Sequence, residues 1–267
     1  MKKYISLLLI LIVLTTIVVV ASVAQTPDNY HKPKIRAGTS SGYSLNWAGY
    51  ALDGPIGSVN DVKGSWVVPA MTCDKKRYTY SAFWIGIDGD NSPTVEQIGT
   101  SSDCRRGSPV YYAWYEFYPA YPVYISASDM SVSPGNIMSA EVSYSGSTEL
   151  FTVSITNTNT SQTYSATGTV NNAQRNSAEW IAEAPSSGQV LPLANFGTAY
   201  FGLGYTGIPS TSFATVNGIT GNIGSFTPDT QVTVNKIGMV TFSGRLKAMP
   251  SALTPDGTSF SVKWYRS

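Results

Sequence analysis

The chain has 267 residues, 17 Lys+Arg against 16 Asp+Glu, one histidine and two cysteines, and only 12% of its residues are charged. A formal net charge of +1 gives a polyanion nothing to hold, so no nucleic-acid partner is expected. The single histidine, His31, lies beside the amino-terminal leader, so a Ser-His-Asp triad, a Cys-His pair and a histidine-bound zinc site each lack a residue in the right place.

Residues 1–24 read as a signal peptide. Lys2 and Lys3 supply the basic start, Ile5 to Val20 the apolar run, and Ser22-Val23-Ala24 a small-residue cleavage site. The uncharged stretch from Tyr4 to Ala24 is also long enough to span a bilayer, so a membrane is a partner only if this leader stays attached. Either fate places the remainder outside the cytoplasm, and cleavage predicts a secreted, extracellular protein. Residues 25–40, with Pro27, Pro33 and the basic Lys32, Lys34 and Arg36, read as a spacer or short propeptide.

From residue 41 to 267 the chain reads as one all-β domain. Candidate strands are Leu45–Leu52, Gly64–Val68, Tyr78–Ile87, Val110–Tyr118, Val123–Ser126, Ile137–Tyr144, Leu150–Thr156, Tyr164–Gly168, Ala178–Glu183, Ala199–Leu203, Gln231–Val234 and Ser259–Trp264. Alternation is clearest at 150–156, where Phe151, Val153 and Ile155 point one way and hydroxyls the other, one face on a core and one in water. Short strands at hairpin intervals imply two packed antiparallel sheets. Residues 204–230, rich in Gly, Ser, Thr and Pro, read as a long excursion between strands. In an exported chain Cys73 and Cys104 are expected to form a disulfide. A surface rich in hydroxyls and poor in ion pairs suits an acidic medium, because acid unfolds proteins largely by protonating paired carboxylates.

Chemistry is left to carboxylates, amides, hydroxyls and aromatic rings, with no metal or cofactor. In the strand Ala178–Glu183, Glu179, Ile181 and Glu183 share one face. On a concave face among aromatics, Glu179 would have its pKa raised by desolvation and serve as an acid–base group; the other reading is an exposed strand with two surface carboxylates. At Val95-Glu96-Gln97-Ile98, Gln97 shares a face with Val95, and an inward amide is either a hydrogen-bond donor to a ligand or a rung of a cross-strand ladder. Residues 111–119 put Trp114, Glu116 and Tyr118 on one face, and residues 83–89 put Trp84, Gly86 and Asp88 together. These rings either line a groove or fill the core.

Six pieces in order carry a resemblance: Asn46-Trp47-Ala48-Gly49-Tyr50, Gly64-Ser65-Trp66-Val67-Val68-Pro69, Trp84-Ile85-Gly86-Ile87-Asp88-Gly89, Gln97-Ile98-Gly99, Ala113-Trp114-Tyr115-Glu116 and Ala178-Glu179-Trp180-Ile181. Together they resemble the glutamic peptidases, or eqolisins (family G1), the acid endopeptidases first described in fungi. The resemblance implies a β-sandwich of two seven-stranded antiparallel sheets and a catalytic dyad at Gln97 and Glu179. Trp84, Asp88, Trp114 and Glu116 fall in the expected supporting or substrate-binding shell. Two positions depart from the family: Ser101, with Asp103 two residues on, and Tyr112 stand where fungal members carry aspartate. The expected activity is endoproteolysis in acid, insensitive to pepstatin, on polypeptide substrates, by a monomer. A carbohydrate-active or carbohydrate-binding sandwich, using Glu116 and Glu179 and the same aromatic groove, is the alternative.

Overall fold

The computed structural model describes Arg36 and residues 42–267. The leader over 1–24 lies outside the described residues, as does the 25–40 spacer apart from Arg36. Among the described residues twenty strands follow one another. The first twelve are β1 Tyr43–Ser44, β2 Trp47–Asp53, β3 Val59–Val67, β4 Tyr78–Thr79, β5 Ala82–Ile87, β6 Val95–Arg105, β7 Ser108–Tyr118, β8 Val123–Ile125, β9 Ile137–Ser145, β10 Leu150–Asn157, β11 Gln162–Gly168 and β12 Ser177–Glu183. Then come β13 Ser186–Ser187, β14 Gln189–Val190, β15 Thr198–Gly202, β16 Phe213–Val216, β17 Ile219–Asn222, β18 Thr233–Val240, β19 Leu246–Pro250 and β20 Ser259–Trp264; a four-residue helix, α1, spans Leu203–Thr206.

Pairing resolves these strands into two antiparallel sheets. One runs β18–β2–β12–β5–β6–β7–β8. The other runs β11–β10–β9–β3–β15–β20–β19, with the β16–β17 hairpin added beside the first half of β3. Each run has seven strands, as the resemblance implies. Strand β18 belongs to both: Thr233–Ile237 pair with β2, then Met239 and Val240 pair with β19. The pairing of β1 with β18 is parallel.

The alternation visible in the sequence explains the layering. Phe151, Val153 and Ile155 are buried while their neighbours are half-exposed. Trp66, Phe83, Ile85, Phe151, Trp180, Phe201 and Phe260 fill the space between the sheets. The Trp180 indole crosses that space and donates to the Lys63 carbonyl at 2.8 Å. It fits because Gly64, beside Lys63, has no side chain. A Cβ there would lie 2.9 Å from Trp180 Cδ1 and closer still to Ile85. The longest hairpin, β6–β7, stays in register from Val95↔Tyr118 to Arg105↔Ser108 and turns at Arg106 (φ 48°) and Gly107 (φ 91°). Two successive positive φ values match the twist of the flanking strands.

Where the structure differs from the sequence reading, the cause is polarity. The candidate strands leave out β6 altogether; its second half, Gly99 to Arg105, is polar, yet the strand is buried up to Cys104. The 204–230 excursion contains the β16–β17 hairpin and short 3₁₀ turns, and β19 was not anticipated. Cys73 and Cys104 form a disulfide, with Cα atoms 5.3 Å apart, tying the 69–77 loop to the end of β6.

Replacing Gly64 with Val should overpack the interface between the sheets. A loss of about 1–3 kcal/mol in urea unfolding is expected, with the m-value unchanged. Wild-type stability in that variant would show that the two sheets are not closely apposed at Trp180.

Candidate active site

On the sheet β18–β2–β12–β5–β6–β7–β8, the face turned away from the other sheet carries a second buried cluster. It contains Trp47, Ala51, Ala82, Trp84, Val95, Tyr112, Trp114, Ile181 and Ile237. Strand parity sets which residues lie there, and register sets their rows. One row reads Ala51, Glu179, Gly86, Gln97, Glu116 across β2, β12, β5, β6 and β7. The next reads Gly49, Ile181, Trp84, Gly99, Trp114 and Tyr124, and a third reads Trp47, Glu183, Ala82, Ser101 and Tyr112.

The first row brings the two candidate catalytic residues together, although 82 positions separate them in the chain. Strands lie about 4.8 Å apart, so the Glu179 and Gln97 backbones are about 10 Å apart, with the β5 strand between. The residue between them is Gly86, which leaves the space above β5 open to both side chains. A Cβ at Gly86 would meet the Trp84 ring at 3.0 Å, the Glu96 carbonyl at 3.1 Å and Gln97 Cβ at 3.2 Å. Gln97 Nε2 donates to Glu116 Oε2 at 2.8 Å, which fixes the way round of the amide. Glu116 therefore touches Gln97 directly.

Glu179 and Gln97 are both buried. Among the described residues neither carboxylate oxygen of Glu179, nor Gln97 Oε1, has a hydrogen-bond partner. Such orphans are uncommon in folded proteins and cluster where chemistry is done. Burial pushes the Glu179 pKa well above the usual carboxylate range, against an opposing pull from the Ser177 hydroxyl. The negative charges of Asp90, Asp88 and Asp53 push it further in the same direction.

The rest of the face is a framework of rings and acids. Trp84 Nε1 donates to Glu183 Oε2 at 2.8 Å, and Asn46 Nδ2 donates to Glu183 Oε1 at 3.2 Å. Trp84 also meets Trp47 edge-on at 5.0 Å between centroids. Trp114 is buried in the same cluster. Asp88, in the left-handed region at φ 68°, accepts the Arg175 and Asn176 amides at 2.8 and 3.0 Å and the Thr94 hydroxyl at 3.2 Å. Its carboxylate thus clamps the loop that delivers β12. Ser101 and Tyr112, at the two departures from the family pattern, face each other across β6 and β7. The Tyr112 hydroxyl donates to Asp103 Oδ2 at 2.9 Å.

Sequence reasoning passed over Asp53 and Asp90 as neighbours of the site, and gave Glu183, which it set on the Glu179 face, no part in it. The parity of β2, which puts Trp47, Gly49, Ala51 and Asp53 on one face, could have found Asp53. Asp90 offers no such signal, because it sits in the turn after β5. Asp53 Oδ2 accepts Asn235 Nδ2 at 2.6 Å. Burial first, and the Asp90 charge second, push its pKa up to about 7, with Arg36 and Asn235 opposing.

The fold defines the class first: an all-β antiparallel sandwich of the glutamic-peptidase kind. Scytalido-glutamic peptidase, solved with a transition state analog inhibitor, superposes with a TM-score of 0.64 at 22% identity over 83% of this chain and 98% of that one. The aspergilloglutamic peptidase from Aspergillus niger gives 0.57 at 26% identity over 70% and 99%. The Peptidase A4 family profile matches residues 45–242, and the chain belongs to that family, the glutamic peptidases or eqolisins. Aspergillopepsin-2 of Aspergillus niger is 32% identical over 191 residues, which span 63% of this chain and 66% of that protein.

The buried acids predict how stability depends on pH. A carboxyl whose pKa is higher in the fold than in the unfolded chain stabilises the fold below its unfolded value. That contribution is lost as pH rises through the folded value. Glu179, Glu96 and Asp88 are all raised, Asp53 to about 7 and the half-buried Asp61 to about 6, in every case chiefly by burial. Tm followed by circular dichroism should therefore be highest near pH 4 and fall towards pH 7, with Asp53→Asn flattening the upper part of the fall. A Tm that climbs over this interval would contradict the assignment.

Proposed function

We propose that the protein is a secreted acid endopeptidase acting on polypeptides as a monomer, with Glu179 as general base and Gln97 as oxyanion donor. The observation that carries this reading is the row Glu179–Gly86–Gln97. It sets an ionisable, unpartnered carboxylate and an oriented carboxamide on either side of a strand without a side chain. Membership of the Peptidase A4 family supports it, and so does the relative Aspergillopepsin-2.

In this mechanism ionised Glu179 takes a proton from water held between the two side chains, and that water attacks the scissile carbonyl. One N–H of Gln97 is engaged by Glu116 and the other is left to donate to the developing oxyanion, where such a donor contributes about 3–4 kcal/mol. Protonated Glu179 then passes its proton to the departing amine. The amide does not titrate, so the carboxylate and its neighbours set the pH profile. The raised pKa makes Glu179 a stronger base once ionised and places the acid limb of activity above the range of a free glutamate. Both groups are shielded from solvent as they stand, so a substrate strand must gain entry to this face before chemistry. Trp84, Trp114 and Tyr124 would line its path.

The carbohydrate reading loses its second carboxylate. Glu116 is bonded to the Gln97 amide, and its backbone lies three strand spacings, about 14 Å, from that of Glu179.

Cleavage of a denatured protein, followed across about pH 3–7 because Glu179 acts only when ionised, tests the dyad. Glu179→Gln should abolish turnover, and Gln97→Ala should lower kcat by roughly 10²–10³ with the fold intact by circular dichroism. Glu116→Ala should lower kcat by about tenfold with little change in KM, and Glu116→Gln, which keeps an acceptor oxygen, should recover part of it. Pepstatin should not inhibit. Near wild-type turnover by folded Glu179→Gln or Gln97→Ala overturns the mechanism.

A further inference from the structure

An acidic cluster that the mechanism leaves unused stands at the end of the row behind Glu179. Asp53 on β2 is in register with Ser177, two residues from Glu179 on the same face of β12. Asp90 accepts the Ser177 hydroxyl on its main-chain carbonyl at 3.2 Å. Asp88 lies two residues before Asp90 and is held by the amides of 175 and 176.

Arg36 meets this cluster from outside the strands. Its Nη1 donates to both carboxylate oxygens of Asp90, at 2.9 and 2.8 Å, with the Arg36 side chain 12% and the Asp90 side chain 2% exposed. Its Nη2 donates to the Tyr43 carbonyl at 3.2 Å, and its main-chain N–H to the Gly89 carbonyl at 3.0 Å. Backbone and side chain are thus both docked on the 88–90 turn, and a largely buried ion pair of this kind is weakly screened by salt. The other charged and polar groups nearby serve different partners. Arg175 is held by the Val59 carbonyl and Asn60 at 3.3 and 2.7 Å and lies over the Tyr144 ring. Glu96 projects from the opposite face of β6, Asn235 donates to Asp53, and Glu116 lies beyond Gln97.

We propose that Arg36 is a positioning residue for the reaction: clasped on Asp90, it supplies the counter-charge against which Glu179 works as a base beside Asp53, Asp88 and Asp90. The inference rests on the peptidase reading of Glu179. It assigns a part in the chemistry to a residue that precedes every strand of the sandwich. Arg36 also lowers the pKa of Asp53.

The test compares wild type, Arg36→Gln, Asp53→Asn and the double variant, all as the full chain. The readouts are the pH dependence of kcat/KM for peptide cleavage and the ¹³C titration of the Glu179 carboxyl, its signal assigned by loss in Glu179→Gln. Arg36→Gln should move both midpoints upward by about half a pH unit, roughly threefold in rate on the acid limb. Asp53→Asn should move them downward, and the double variant should return near wild type, with KM at the plateau unchanged. Arg36→Lys, which keeps the charge without the bidentate fork, should hold the wild-type midpoint and covers the case of a poorly folded glutamine variant. Unmoved midpoints in Arg36→Gln, with only Tm or amplitude reduced, overturn the proposal. Absence of peptide cleavage by wild type overturns the peptidase reading instead, and the carboxyl titration still judges the clasp.

Discussion

Glu179 is an acid withdrawn from water among like charges, and the surrounding architecture is organised around that one group. A lone buried carboxylate is so unfavourable that it takes up a proton unless neighbouring charge or a ligand intervenes. The sandwich holds it there by strand pairing on both sides: β2 and β5 flank β12 along its whole length. The same pairing gives Trp180 and Glu179, adjacent in the chain, opposite duties. The indole is committed to the core between the sheets, and the acid is thereby turned to the other face. Loss of the core contact would misplace the acid as well as weaken the fold.

The carboxamide shows the complementary arrangement. Gln97 cannot change its charge, so its usefulness depends on which way round the amide sits. That is decided one strand further on by Glu116. The glycine between acid and amide leaves the space between these two distant chain segments open, because any side chain there would stand between them. Of the aromatic residues in the following row, Trp84 is fixed by its contact with Glu183.

Much of this was legible in the sequence, and the reason is the strict two-residue period of β-structure. Parity alone separated Glu179 and Glu183 from Trp180, and Phe151, Val153 and Ile155 from their hydroxyl neighbours. The order of short aromatic and glycine-containing pieces carried the family resemblance. Period does not report pairing partners, so sequence could not say that Gly86 lies between Glu179 and Gln97 or that Glu116 faces Gln97. It also failed where buried strands are polar, as in the second half of β6, whose Ser102 and Asp103 look like turn residues but lie in the interior. Turn residues were the hardest to read: Asp88 shares the parity of Trp84, yet its left-handed backbone directs its carboxylate onto the loop before β12. The two departures from the family follow a similar logic. Ser101 and Tyr112 are paired across β6 and β7, and the Tyr112 hydroxyl binds Asp103, one pleat repeat along β6 from Ser101.

The sharing of β18 between the sheets has a positional consequence. A strand hydrogen-bonded first to β2 and then to β19 acts as the spine of a bound book, and β8, paired only with β7, is the loose fore-edge. The candidate acid on β12 and the candidate amide on β6 each sit two strands in from a margin of this sheet, the one at β18 shared with the other sheet and the one at β8 paired on a single side, so the row that joins them is centred between a sealed edge and an open one.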